Sequence, residues 1–193
     1  MKLNNYNNLL ELFFDQYKKQ DKNNIFLINL GNPKHKLSWE KTYLLVNHLS
    51  NQISKDIKLG DRCVLISENR PEWMISDLAI MLAGGISVPS YTTYTTKDYE
   101  YIIKDCEPSV IIVSNNIQFN KIKNILDYKK IKKIISFDRI ENLKFQNYLC
   151  IEDIINKKDG FENFSSEITL KRSDPACIIY TSGTQGNPKG VIL

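Results

Sequence analysis

Apolar and polar positions follow two successive rhythms along the chain. Leu9, Leu10, Phe13, Phe14 and Tyr17 recur at steps of three and four, the period of an amphipathic helix. Its polar side is not strongly basic, which favours packing on its own core over a partner or a membrane surface. Residues 25–30 read as a strand and Gly31-Asn32-Pro33 as a turn. Ser38 then stands as an N-cap before a second stripe, Trp39, Tyr43, Val46, Leu49 and Ile53, which predicts a helix facing the core.

From Gly60 the rhythm becomes strand–helix–strand. Residues 63–66 predict a buried strand. Pro71 suits a first helical turn, and Glu72 is placed well against the dipole. That helix runs to about Leu82, is apolar almost all round and is therefore expected to be buried; Gly84-Gly85 stops it. Residues 86–88 predict the next strand, ending in Pro89. Thr95 and Asp98 have capping-box spacing before a helix carrying Tyr99, Ile102 and Ile103. A strand at 110–113, a helix at 117–128 and a strand at 134–137 follow. Lysines crowd residues 121–133, while Ile122, Ile125 and Leu126 keep helical spacing. The lysines read as a solvated outer face, with docking as the weaker alternative. Between 139 and 172 the signal fades to a short helix near 152–157 and a polar loop around 160–166. Alternating units of this kind predict an α/β fold with a largely parallel sheet flanked by helices.

Composition narrows the picture. A chain of 193 residues with 42% hydrophobic content can bury a core for one domain, or for a domain with an attached lobe. The net charge of +4, from 26 basic and 22 acidic residues, gives no support for a nucleic-acid partner. Cys63, Cys106, Cys150 and Cys177 are widely spread without a C-x-x-C, so they read as buried free thiols in a reducing cytosol. His35 and His48 lack partners at metal-ligand spacing. Glu11 and Asp15 interrupt the apolar residues near the start, so no secretory leader is read there. The longest apolar stretch, 78–89, is too short to span a bilayer. A cytoplasmic protein is expected, with peripheral membrane contact left open.

The chemistry concentrates at residues 176–193. Residues 176–180 are a short apolar run that predicts a buried strand. It breaks into Thr181-Ser182-Gly183-Thr184-Gln185-Gly186-Asn187-Pro188-Lys189-Gly190, and 191–193 turn apolar again. Three glycines let backbone N–H groups turn inward, three hydroxyls add donors, and Lys189 adds a mobile positive charge. Such a loop suits a polyanion. It is not a Walker A loop, because Lys189 precedes Gly190 and Val191 follows, and there is no G-x-G-x-x-G. An ordinary surface turn is the competing reading. Ligands of open parallel sheets sit beyond the carboxyl ends of the strands. The hydroxyl-rich segment 90–95 is a second candidate wall of that crevice, or else merely caps the next helix.

Residues 180–191 closely resemble the phosphate loop of the AMP-forming adenylating enzymes, whose pattern is Tyr-Thr-Ser-Gly-Thr-Thr-Gly-x-Pro-Lys-Gly-Val. Gln185 is the one departure, standing where a second threonine is usual, and glutamine still donates a hydrogen bond. The segments 68–73 (ENRPEW) and 88–91 (VPSY), with Asp77, Tyr101-Ile102 and 110–114, further resemble the amino-terminal lobe of long-chain fatty acyl-CoA synthetases. Resemblance of varying strength covers 37–193. The resemblance implies an incomplete amino-terminal AMP-binding domain over 1–193. Within it, 1–36 form an N-terminal helix and strand, 37–138 an α/β core, 139–175 a connection, and 176–193 the strand and phosphate loop. It implies ATP, Mg²⁺ and CoA as cofactor and co-substrates, and a carboxylic acid, most readily a fatty acid, as substrate. It implies that Thr181, Ser182, Gly183, Thr184, Gln185, Gly186 and Lys189 bind the β- and γ-phosphates, with Thr184 contacting the metal. The family's catalytic lysine, metal-binding glutamate and most of its acyl pocket are expected beyond Leu193. The chain is accordingly expected to be a fragment, inactive by itself. Part of an aryl- or amino-acid-activating enzyme, or a non-catalytic nucleotide-binding module, are the alternative readings.

Overall fold

A computed structural model of the chain describes residues 6–155, 170–181 and 188–193. The predicted loop around 160–166 and the end of the predicted helix at 152–157 lie outside the described residues. The first helix, α1 (Leu9–Lys19), is capped by the Asn8 side chain, which accepts from the Glu11 N–H. Leu10 and Phe13 bury the apolar stripe. β1 (Ile25–Ile28) pairs antiparallel with β2 (Lys36–Ser38). β2 was not foreseen, since a three-residue strand with a single apolar position carries no periodicity; its pairing with β1 defines it. Ser38 caps α2 (Trp39–Ser54) by accepting from the Lys41 N–H. The α2 stripe divides its work. Val46, Leu49 and Ile53 enter the core, while Trp39 stacks on Phe26 at 3.8 Å and Tyr43 on Tyr17 at 4.1 Å.

The remaining elements build one sheet and one ribbon. They are β3 (Arg62–Ile66), α3 (Pro71–Leu82), β4 (Ile86–Ser90), α4 (Thr96–Cys106), β5 (Val110–Val113), α5 (Asn116–Ile122), β6 (Lys133–Ser136), β7 (Tyr148–Cys150), α6 (Ile151–Ile155), β8 (Ile178–Thr181) and β9 (Lys189–Ile192). β4, β3, β5, β6 and β7 lie side by side in that order, and every pairing is parallel. Strand alternation sorts the side chains onto two faces. Cys63, Leu65, Val110, Ile112 and Ile135 pack with α1, α2 and α3. Val64, Ile66, Ile111, Val113 and Ile134 pack with α4 and α5. This is the expected α/β class, a parallel sheet flanked by helices.

Four expectations are corrected in detail. α5 ends at Ile122, not near 128; Ile125 and Leu126 still pack against the core, from turns. β4 continues through Pro89, opposite Leu65, because an edge strand tolerates a missing N–H. A fifth strand, β7, emerges from the featureless region. The lysine-rich stretch is not wholly solvated: Lys133 is buried and pairs with Asp56 at 2.7 Å.

Candidate functional site

The strand β8 was expected to be buried within the sheet, and it is placed differently. Ser87 of β4 and Cys177 form an isolated parallel bridge, and the Ser87 N–H donates to the Ala176 carbonyl at 3.1 Å. Beyond that point β8 pairs with β9, so the two make a separate antiparallel ribbon. Its Ile178 and Ile179 are half-buried and only Tyr180 is fully enclosed. The parallel bridge still fixes direction. β8 runs with the sheet strands and delivers the chain to their carboxyl end, beside β4.

The glycine- and hydroxyl-rich segment is thus the connection of a β-hairpin. Ser182, Gly183, Thr184, Gln185 and Gly186 lie outside the described residues. The two candidates that bracket them, Thr181 and Lys189, are register partners across the hairpin base, and both are exposed. Directly opposed residues share one face of a ribbon with Cβ atoms roughly 5 Å apart. The hydroxyl and the ammonium therefore rise together from the loop's two limbs. No helix follows the loop among the described residues.

Gly190, the last glycine of the motif, is needed for a reason the sequence did not reveal. It faces Tyr180 in the register, and a Cβ there would sit 2.8 Å from Ile178 Cγ2 and 3.2 Å from Tyr180 Cζ. Close packing, not backbone freedom, demands glycine at this position.

Of the two alternatives for the segment 90–95, capping the next helix is the one seen directly. Thr95 and Asp98 close a capping box on α4. The Tyr94 hydroxyl also reaches the Tyr180 carbonyl at 3.3 Å, and the Lys121 ammonium donates to the Thr92 carbonyl. Tyr99 donates to the Tyr91 carbonyl at 2.7 Å, leaving the Tyr91 ring exposed. Sequence reasoning named Tyr94 only as part of the segment 90–95, and it missed Asp105 of α4, whose carboxylate accepts from the Tyr180 hydroxyl at 2.5 Å. Burial first, and then the Asp105 hydrogen bond, push the Tyr180 phenol well above its ordinary pKa, so it remains a donor.

The ENRPEW segment braces the fold. Arg70 makes a bidentate pair with Asp138 at 2.7 and 2.8 Å and lies 3.3 Å from the buried Glu72 carboxylate. The start of α3 is thereby tied to the chain leaving β6. Glu68 accepts from the buried Gln118 amide at 3.0 Å. Among the described residues no group of His, Cys, Asp and Glu could hold a metal ion, and no helix is long and apolar enough to cross a membrane.

Comparison with known proteins follows the same lines. The model of the AMP-binding enzyme family matches residues 13–193. The long-chain-fatty-acid–CoA ligase ACSBG1 of Rattus norvegicus is 30% identical over 170 residues, covering 83% of this chain and 24% of its own length. The chain therefore spans about a quarter of the length of that curated relative. Two solved structures share its fold. The anthranilate CoA ligase AuaEII in complex with anthranoyl-AMP has a TM-score of 0.77 at 22% identity, over 97% of this chain and 34% of that one. The ATP-bound RpMatB-BxBclM chimera has a TM-score of 0.73 at 24% identity, over 96% and 34%.

Proposed function

The chain belongs to the AMP-binding enzyme family, and from that premise we propose that it supplies the nucleotide-gripping part of an ATP-dependent, AMP-forming acyl-CoA ligase. In this reading Thr181, Ser182, Gly183, Thr184, Gln185, Gly186 and Lys189 hold the β- and γ-phosphates of ATP. Mg²⁺ would enter on the phosphate oxygens, with Thr184 as its protein contact. The observation that carries the reading is the pairing of Thr181 with Lys189 at the hairpin base, both exposed, on either side of the donor-rich connection.

The chemistry explains why such a loop is useful. A carboxylate oxygen attacks the α-phosphorus, the bond to the bridging oxygen breaks, and pyrophosphate leaves with the electron pair. Charge builds on the departing phosphates, where preorganised donors and an ammonium stabilise it. No base is needed, because the attacking carboxylate is already ionised. The thiol of CoA, losing its proton, then attacks the acyl carbon and AMP leaves, giving the thioester. A long-chain fatty acid is the proposed acid, supported by the name of the rat relative.

Calorimetric titration of the chain with ATP and with pyrophosphate tests the assignment. Lys189→Ala is expected to weaken both by about tenfold, the size of one charge-assisted hydrogen bond. Equal affinity in the two proteins would remove Lys189 from the site.

A further inference from the structure

We propose that Tyr180 and Asp105 form a pin that fastens the β8–β9 ribbon to α4 and thereby aims the phosphate loop. The aiming role rests on the phosphate reading given above; the pin itself does not. Tyr180 acts here as a positioning residue.

The ribbon's attachments suggest the need for such a device. At its far end the ribbon is held to the sheet by the Ser87–Cys177 bridge, and Leu193 exchanges backbone hydrogen bonds with Cys177. From Cys177 to Tyr180 the strand advances about 10 Å. A two-stranded ribbon is marginal on its own, and one attachment leaves it free to pivot. Tyr180 supplies the second attachment, next to the loop. Its hydroxyl donates to Asp105 Oδ2 at 2.5 Å, and its ring meets Tyr101, one helical turn earlier on α4, edge-on with centroids 6.4 Å apart. Its carbonyl accepts from Tyr94 at 3.3 Å.

Strand alternation turns this anchoring into aim. Because Tyr180 points into the α4-side core, its neighbour Thr181 must point out. Gly190 lies under the Tyr180 ring, so the return limb is held by the same side chain, and Lys189 points out beside Thr181. A single buried tyrosine therefore sets the orientation of both phosphate-facing side chains. Two points fix a line where one leaves a hinge.

Hydrogen exchange and ATP titration on Tyr180→Phe, Asp105→Ala and Asp105→Asn decide the matter. Tyr180→Phe keeps the ring and its packing but loses the donor. It and Asp105→Ala are each expected to speed exchange of the β8 and β9 amides about tenfold, leaving β3, β5 and β6 unchanged, and to weaken ATP binding several-fold. Asp105→Asn keeps an acceptor and is expected to restore most of both. Unchanged ribbon exchange in Tyr180→Phe and Asp105→Ala would overturn the pin. Loosened ribbon exchange with unchanged ATP affinity would overturn its aiming role. Failure of the unsubstituted chain to bind ATP or pyrophosphate would instead overturn the phosphate reading and the aiming role with it, while the exchange arm still decides whether the pin exists.

Discussion

Single residues in this chain carry charge where their surroundings give them little water. The Lys133 side chain is 6% exposed, while that of its partner Asp56 is 21% exposed and also accepts from the Asn147 amide at 2.9 Å. The two halves of the pair are therefore unequal. Asp56→Ala strands a buried ammonium and is expected to cost roughly 3 kcal/mol. Lys133→Met leaves a carboxylate that retains an amide donor and some solvent, and should cost less than about 1 kcal/mol. Urea denaturation of the two variants checks the asymmetry; equal losses would contradict it. Arg70 follows the same logic, since it is the guanidinium that accompanies the buried Glu72.

At the scale of elements, α3 is the informative case. It is apolar nearly all round and buried on most of its surface, yet it carries Asp77, which lines a cavity of about 730 Å³ with Phe13 and Trp73. Burial pushes the Asp77 carboxyl above the usual carboxylate range. The sign follows from linkage. A carboxyl that binds its proton more tightly in the folded state favours folding below its unfolded pKa, and that contribution is lost as pH rises through the folded pKa. Ionising the Asp77 carboxyl therefore costs more in the folded chain than in the unfolded one. Asp77→Asn removes the cost. Its thermal midpoint is expected to rise above that of the unsubstituted chain at pH 7 and by less at pH 3. A gain independent of pH would assign the effect to packing. The helix α4 plays a different part: capped by Thr95, it presents Tyr101 and Asp105 to the ribbon as a rigid platform.

The whole molecule joins a sheet with two packed faces to a ribbon held at two points. A ligand on the loop raises global stability only if the ribbon unfolds together with the sheet. The shared core, in which Tyr180 packs with Val64, Val88 and Ile102, favours joint unfolding. ATP at about a hundred times its dissociation constant is then expected to add roughly 2.7 kcal/mol and to raise the thermal midpoint by about 5–10 °C. Lys189→Ala should need about ten times more ATP for the same shift. No shift at saturating ATP would mean that the ribbon melts separately.

Local pattern was enough to reveal most of this architecture. β5 lies at the predicted residues, α2 and α4 begin at their caps, α3 begins at Pro71, and the strand–helix alternation specified a parallel sheet, because these features arise from short-range periodicity and capping chemistry. The motif at 180–191 named the family for a similar reason: its chemistry is contiguous in the chain. Tertiary structure alone decided what depends on distant partners. β2 and β7 exist through their neighbours, and Lys133 is buried because Asp56 lies beside it. β8 leaves the sheet for a ribbon because β9 folds back on it. Tyr180 and Asp105 are 75 residues apart, and no period, spacing or composition joins them. A hydrogen bond across that separation becomes visible only when the fold has brought its ends together.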